Sequence, residues 1–252
     1  MLTLTQLYPP PGGEVVATDA YSGPPVDAGD AGAHVRVNMV ASVDGAATLA
    51  GRVGALTGHA DQQLLGVLRS LCDVLLVGAA TIRAEGYGPI RALPELADRR
   101  RAAGQQPAPR LAVLSRSLDL DLGSRAFTAA VARPVLVTTE RAAPERVAAG
   151  REVADVVIAG DESVDLRTAL RLLAGHGMRS VLSEGGPGVV AELFAADLVD
   201  ELCLAVSPVV VSGTERRVTS GPPLPRPVPL RLEAVYERDD YLFTRYVRGP
   251  RG

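Results

Sequence analysis

Asp61-Gln62-Gln63-Leu64-Leu65-Gly66-Val67-Leu68-Arg69-Ser70-Leu71-Cys72-Asp73-Val74-Leu75-Leu76-Val77-Gly78 is the stretch that decides the fold. Leu64, Leu65, Val67, Leu68 and Leu71 recur at the three- and four-residue spacing of one helical face, so the spacing predicts a helix over 61–71. After Asp73 the period disappears. Val74 to Val77 is a continuous apolar run closed by Gly78. A strand covered on both faces reads this way, and such strands belong to parallel sheets.

The same alternation extends outward. Upstream, Val35-Arg36-Val37-Asn38-Met39-Val40 reads as a strand. Downstream, strands are expected at 111–114, 134–138, 155–159 and 180–184, with helices at 144–150, 164–176 and 187–195. A long apolar strand follows at 199–211. Segments 230–236 and 241–247 form an antiparallel hairpin around Asp239-Asp240. Segment 92–108 reads as helix and loop, and 212–229, rich in Pro and Gly, as a long loop. Strands alternating with helices predict an α/β fold of three layers, α/β/α, with a mostly parallel mixed sheet and a C-terminal antiparallel hairpin. The expected division is an N-terminal extension, 1–34, lying across the surface or fraying, and one domain over 35–252.

Composition narrows the function. With 47% hydrophobic and 22% charged residues among 252, the chain can build a core without disulfides or metal. Cys72 and Cys203 sit in apolar stretches and read as small buried hydrophobes of a reducing compartment. A net charge of −3 argues against nucleic acid as a partner. No apolar run is long enough to span a bilayer, and the N-terminus lacks a secretory pattern, so a cytoplasmic location is expected. All 26 basic residues are arginine. Schiff-base and Walker-type lysines are therefore excluded, and anions must be met by arginine, helix N-termini and backbone amides.

Ligands of open α/β sheets bind at the carboxyl ends of the strands. Four crossovers there carry unusual residues. Gly78 to Arg91 offers Thr81 at a helix start, Glu85 as an acid and Arg91 as a fixed cation; the plain alternative is a helix cap and a Gly/Pro turn. Ser183-Glu184-Gly185-Gly186-Pro187-Gly188 opens a helix N-terminus suited to a pyrophosphate, and Glu184 ends an apolar strand where a carboxylate needs a partner. Ser115-Arg116-Ser117 suits a phosphate monoester, or is a solvated turn. Asn38 to Asp44 leaves a strand into a tight turn, for which Asp44 and Gly45 suit a structural role. His34, His59 and His176 lack catalytic partners in the sequence. No zinc spacing and no Gly-x-Ser-x-Gly elbow occurs, so no metal is expected.

Met39 to Gly45, Leu68-Arg69, Val77-Gly78-Ala79-Ala80-Thr81, Ser183-Glu184-Gly185-Gly186, and Val199-Asp200-Glu201-Leu202 with Ser207-Pro208 together resemble one family in order and spacing. It is the reductase domain of the bacterial riboflavin-biosynthesis deaminase/reductase, of dihydrofolate-reductase-like fold, and the resemblance covers about residues 35 to 248. It implies a stand-alone, NADPH-dependent reductase of 5-amino-6-(5-phosphoribosylamino)uracil, with hydride delivered to the ribosyl C1′, and a homodimer. The homodimer also draws on the apolar 199–211 strand. By matching positions, Gly78, Thr81, Gly185, Gly186, Pro187, Gly188 and Val189 would hold the coenzyme's diphosphate and ribose, with Ala41 and Thr57 near it. Ser115 and Arg116 would read its 2′-phosphate. Arg69 and Arg91 would clamp the substrate phosphate, Gly88 would line its site, and Glu184 would hydrogen-bond it. Glu85 is the catalytic candidate and also borders the coenzyme. The chain departs from the family at Glu85-Gly86-Tyr87, where aspartates are usual, and at Val53-Gly54-Ala55, where Ser-x-Trp is usual. The deaminase zinc motif is absent from 1–34.

Two other functions compete. A pterin or dihydrofolate reductase would want a carboxylate from the Asp61 helix, and is favoured if Arg69 and Arg91 diverge. A non-catalytic NADPH-binding protein would keep the fold without turnover.

Overall fold

A computed structural model describes residues 1–22 and 31–249. In chain order the elements are β1 (Thr3–Tyr8), β2 (Gly13–Val16), α1 (Ala17–Ala20), β3 (His34–Ser42), α2 (His59–Leu71), β4 (Val74–Gly78) and α3 (Ala79–Glu85). After a 3-10 turn at Pro94–Leu96 come α4 (Ala97–Ala102), β5 (Arg110–Leu114), α5 (Arg125–Thr128), β6 (Val135–Thr138), α6 (Pro144–Val153) and β7 (Asp155–Ile158). The chain continues with α7 (Leu166–Gly175), β8 (Ser180–Ser183), α8 (Pro187–Ala195), β9 (Glu201–Ser207), β10 (Leu230–Arg238) and β11 (Tyr241–Arg248).

The apolar run after Asp73 becomes β4, an interior strand between β8 and β5. The full sheet order is β2-β1-β10-β11-β9-β3-β8-β4-β5-β6-β7. From β9 to β7 neighbouring strands are parallel, and from β9 to β2 they are antiparallel. Side chains alternate across this sheet. Leu75 and Val77 enter one core with Leu64, Val67 and Leu68 of α2. Val74 and Leu76 enter the other with Leu170 and Leu173 of α7 and Val190 and Leu193 of α8. Two apolar faces with helices on each give the expected three layers, and each fully buried Leu or Val contributes about 1.5–3 kcal/mol.

Two expectations are corrected. The N-terminal extension does not merely lie across the surface in its described part: β1 pairs with β10 and β2 with β1, and Leu2 and Leu4 are buried. Without β1 the edge of β10 would present unpaired backbone groups, which β1 satisfies. Residues 23–30 and 250–252 lie outside the described residues. The expected strand over 199–211 is shorter, Glu201–Ser207, and lies between β11 and β3. It is an interior strand of the sheet, while Val209 and Val210 beyond it are exposed. His34 is buried, with Nδ1 3.8 Å from Asp200 and Nε2 3.6 Å from Glu201, at the end of the sheet away from the crossovers.

Segment 92–108 braces the bottom of α2. Buried Arg100 donates Nη1 to the carbonyls of Ser70 (2.8 Å) and Cys72 (2.7 Å), and Nε to that of Gln106 (2.8 Å). Helix-end carbonyls with no intrahelical partner are satisfied in this way.

Candidate active site

Where β3, β8, β4 and β5 end, their crossovers diverge and leave a cleft of about 1020 Å³. That volume is at the upper limit for one small ligand and leaves room for a dinucleotide beside a second molecule.

The β8–α8 crossover forms one wall. Gly185 has φ +84°, a conformation that favours glycine, and its carbonyl accepts from Gly78 N–H at 2.8 Å. A Cβ on Gly186 would stand 2.8 Å from Thr81 Oγ1, so only glycine lets the two crossovers touch. Pro187 occupies the first turn of α8. The first intrahelical bond runs from Val190 N–H to Gly186 C=O, which leaves the Gly188 and Val189 N–H groups ahead of it in the first turn. Those amides and the positive end of the helix dipole suit an anion.

The β5 crossover forms the far end. Ser115 Oγ accepts from Leu118 N–H at 2.9 Å, and the Arg116 carbonyl accepts from Thr138 Oγ1 at 3.2 Å. The turn is thus fixed, and Ser115, Arg116 and Ser117 line the cleft. A guanidinium flanked by two hydroxyls on a fixed turn is a donor set that fits a phosphate monoester. With the α8 turn and the glycine contact at Thr81, the wall fits a dinucleotide.

The α2 side carries charge. Arg69 grips Glu184 edge to edge, Nε to Oε1 at 2.6 Å and Nη2 to Oε2 at 2.7 Å. Tyr87 Oη donates to Glu184 Oε2 at 2.8 Å, and the Arg69 guanidinium stands 5.6 Å from the Tyr87 ring centroid. Burial pushes the Tyr87 phenol well up, and the Glu184 charge adds to it, so Tyr87 stays a proton donor. Asp61 of α2 is buried, lines the cleft and accepts from Thr57 Oγ1. Burial raises its carboxyl above the usual range; the Thr57 hydrogen bond partly offsets this and the Glu184 charge reinforces it. Glu85 accepts from Val53 N–H at 3.3 Å and so fastens the 51–57 loop over the cleft.

The structure gathers most of the residues singled out from sequence. Thr57, Arg69, Gly78, Thr81, Glu85, Gly88, Ser115, Arg116, Glu184, Gly186, Pro187, Gly188 and Val189 all line the one cleft. Ala41, Gly185 and Arg91 do not. Asn38, Met39 and Val40 stand there from β3, while Ala41 is covered. Arg91 is exposed, next to Ile90, which lines the cleft. Arg69 is committed to Glu184, which meets Arg69 and Tyr87 with both oxygens. Sequence reasoning passed over Tyr87 and Arg216, which also line the cleft, and weighed Asp61 only for the pterin alternative. Tyr87 sits between glycines and Arg216 within a Pro/Gly-rich loop, so neither carries a local signal.

Residues 33–242 match the family described as RibD C-terminal domain. The chain is 30% identical over 184 residues to the 2,5-diamino-6-ribosylamino-4(3H)-pyrimidinone 5′-phosphate reductase of Methanothermobacter thermautotrophicus, covering 73% of this chain and 82% of the relative. It is 28% identical over 183 residues to the protein of that name from Archaeoglobus fulgidus, covering 72% and 83%. Among solved structures, a pyrimidine reductase-like protein of Corynebacterium diphtheriae superposes with a TM-score of 0.83 at 26% identity, over 94% of this chain and all of that one. With most of its length matched, this chain belongs to the RibD C-terminal domain family.

Proposed function

We propose that the chain is an NADPH-dependent reductase of a 5′-phosphorylated ribosylamino-pyrimidine in riboflavin biosynthesis. Family membership and the names of the archaeal relatives support the reaction class. The observation that carries the reading is the packing of Gly186 against Thr81 under α8, in the same cleft as the Arg69–Glu184–Tyr87 trio. The relatives' pyrimidinone and 5-amino-6-(5-phosphoribosylamino)uracil share the ribosyl C1′ at which reduction takes place.

Gly188 and Val189 N–H and Thr81 would hold the coenzyme diphosphate, and Ser115 and Arg116 its 2′-phosphate. When bound, the reduced nicotinamide supplies the hydride. The protein's own residues supply orientation and a proton. Ring opening breaks C1′–O4′ as the amine proton passes to O4′, leaving a C1′=N imine and a free 4′-hydroxyl; hydride at C1′ and a proton at nitrogen then give the ribitylamine. Of the carboxyl groups bordering this half, Glu184 is committed to Arg69 and Tyr87 and Glu85 to the 51–57 loop, and burial makes Asp61 the better acid. The trio walls the pyrimidine pocket with fixed polar edges. No helix among the described residues is long and apolar enough to cross a membrane, in keeping with a cytoplasmic enzyme. The homodimer rests on the resemblance.

The test is a spectrophotometric assay at 340 nm with the purified phosphorylated pyrimidine. Substrate-dependent NADPH oxidation supports the reading, and tight coenzyme binding without turnover contradicts it. A second reading, a pterin substrate, is favoured by the position of Asp61 on α2 in the cleft. Dihydrofolate in the same assay decides between them.

A further inference from the structure

The two oxygens of the Glu184 carboxylate are not equivalent. Oε2 accepts from Arg69 Nη2 at 2.7 Å and from Tyr87 Oη at 2.8 Å, while Oε1 accepts from Arg69 Nε at 2.6 Å. A carboxylate oxygen offers two acceptor sites. Oε2 is therefore filled by the protein, and Oε1 keeps a site for a ligand. Tyr87 makes the difference. The left-handed turn at Gly86, φ +60°, ends α3, and Tyr87 after it packs against the core that α2 shares with β4. Burial, and after it the Glu184 charge, hold the proton on the phenol, so Oη remains a donor to Oε2.

We propose that Tyr87 is a positioning residue for the heterocycle: by occupying Oε2 it makes Glu184 present one acceptor, Oε1, to an N–H on the edge of the pyrimidine. This rests on the reductase reading, in which the heterocycle lies against the trio, and adds the residue that fixes its orientation. Arg69, Tyr87 and Glu184 all line the cleft. A carboxylate gripped by Arg69 alone would keep an acceptor site on each oxygen and so two ways of meeting the same N–H. The phenol removes one of them. The Tyr87 ring adds a second hold, because the Arg69 guanidinium stands over it with 5.6 Å to the centroid. The fork of Arg69 and the phenol of Tyr87 thus reach Glu184 as one unit. A carboxylate fixed before the ligand arrives loses less freedom on binding it. Tyr87 acts through Glu184, so its effect must vanish when that carboxylate is replaced.

The experiment compares wild type, Tyr87→Phe, Glu184→Gln and the double variant, with Tyr87→Leu removing the ring as well. Steady-state kinetics gives kcat and KM for the phosphorylated ribosylamino-pyrimidine and KM for NADPH. Calorimetry gives the Kd of the pyrimidine on each protein saturated with NADP+. In Tyr87→Phe, Kd and KM for the pyrimidine should rise about five- to tenfold, with kcat and KM for NADPH within about twofold of wild type. Tyr87→Leu should bind the pyrimidine more weakly still. In the Glu184→Gln background, Tyr87→Phe should change Kd by less than about twofold. An unchanged Kd in Tyr87→Phe, an equal rise for NADPH, or the same rise in both backgrounds overturns the assignment. A wild type that oxidises NADPH with dihydrofolate and not with the pyrimidine, or with neither, overturns the reductase reading and this assignment with it. An active wild type matched by Tyr87→Phe overturns the assignment alone.

Discussion

Arg69 and Glu184 share two parallel hydrogen bonds of 2.6 and 2.7 Å across the gap between α2 and the end of β8. A carboxylate at the end of an apolar strand is thereby neutralised, and the two halves of the cleft are fixed to each other. Arg69→Met leaves the Glu184 carboxylate, only 7% exposed, without its cation. The expected loss of unfolding free energy is about 2–4 kcal/mol, below the full figure for a dry pair because a quarter of Arg69 stays exposed. In a double-mutant cycle with Glu184→Gln, urea unfolding should return a coupling of about 1–3 kcal/mol. Additive losses would mean that the pair does not hold the wall together.

Gly186 is the tightest point of the coenzyme wall. Gly186→Ala places a methyl 2.8 Å from Thr81 Oγ1, so Thr81 must turn or the two crossovers must part. Affinity for NADPH should fall at least tenfold, about 1.4 kcal/mol, with the fold retained. Adding Thr81→Ala removes the clash and should recover part of the loss. Fluorescence titration of the reduced coenzyme reads both, and a Gly186→Ala variant that binds as wild type does contradicts the placement of the coenzyme.

Arg116 stands at the other end of that wall. Arg116→Ala should weaken NADPH by roughly ten- to a hundredfold while leaving NADH nearly unchanged, because an arginine–phosphate contact is the feature removed. The ratio of kcat/KM for the two coenzymes reports it, and an unaltered ratio takes Arg116 out of the site.

Two buried carboxyl groups make the stability depend on pH in opposite senses. Asp61 has its folded pKa raised, by burial first, so its contribution is present below the unfolded value near 3.9 and lost as pH rises through the folded one. Asp61→Asn should therefore gain stability relative to wild type on going from pH 4 to pH 7. For Glu201 burial alone would raise the pKa, but the hydrogen bond with His34 and the charges of Arg36 and Arg245 hold it well below the usual range. Its contribution is present above about pH 4.3 and lost as pH falls. Glu201→Gln should be markedly destabilised at pH 7, with the gap narrowing in acid. Urea unfolding at both pH values gives the two signs, and the reverse pattern for either residue contradicts its environment.

Much of this architecture is legible locally. The helix–strand pair over 61–78 shows both of its periods in sequence, β3 shows an alternation, and β4, β5 and β6 each stand out as a short apolar run. β1 does not, because Leu2 and Leu4 give too brief an alternation before Pro9-Pro10-Pro11, and its partner β10 lies at the other end of the chain. The glycine-opened crossovers point to the cleft because backbone approach demands glycine. Side-chain partnerships do not show in the same way. Tyr87 meets Glu184 across 97 positions, and Arg69 meets it across 115. Such pairings are made by the sheet order, which the local pattern does not encode.

The most direct measurement follows the reducing hydrogen. NADPH carrying deuterium at nicotinamide C4 is incubated with the enzyme and the phosphorylated ribosylamino-pyrimidine, and the product is read by NMR and mass spectrometry. The account predicts a single deuterium on C1′ of a ribityl chain, with one coenzyme oxidised per product. Deuterium on a ring carbon of the heterocycle, or oxidation with dihydrofolate and none with the pyrimidine, would contradict it.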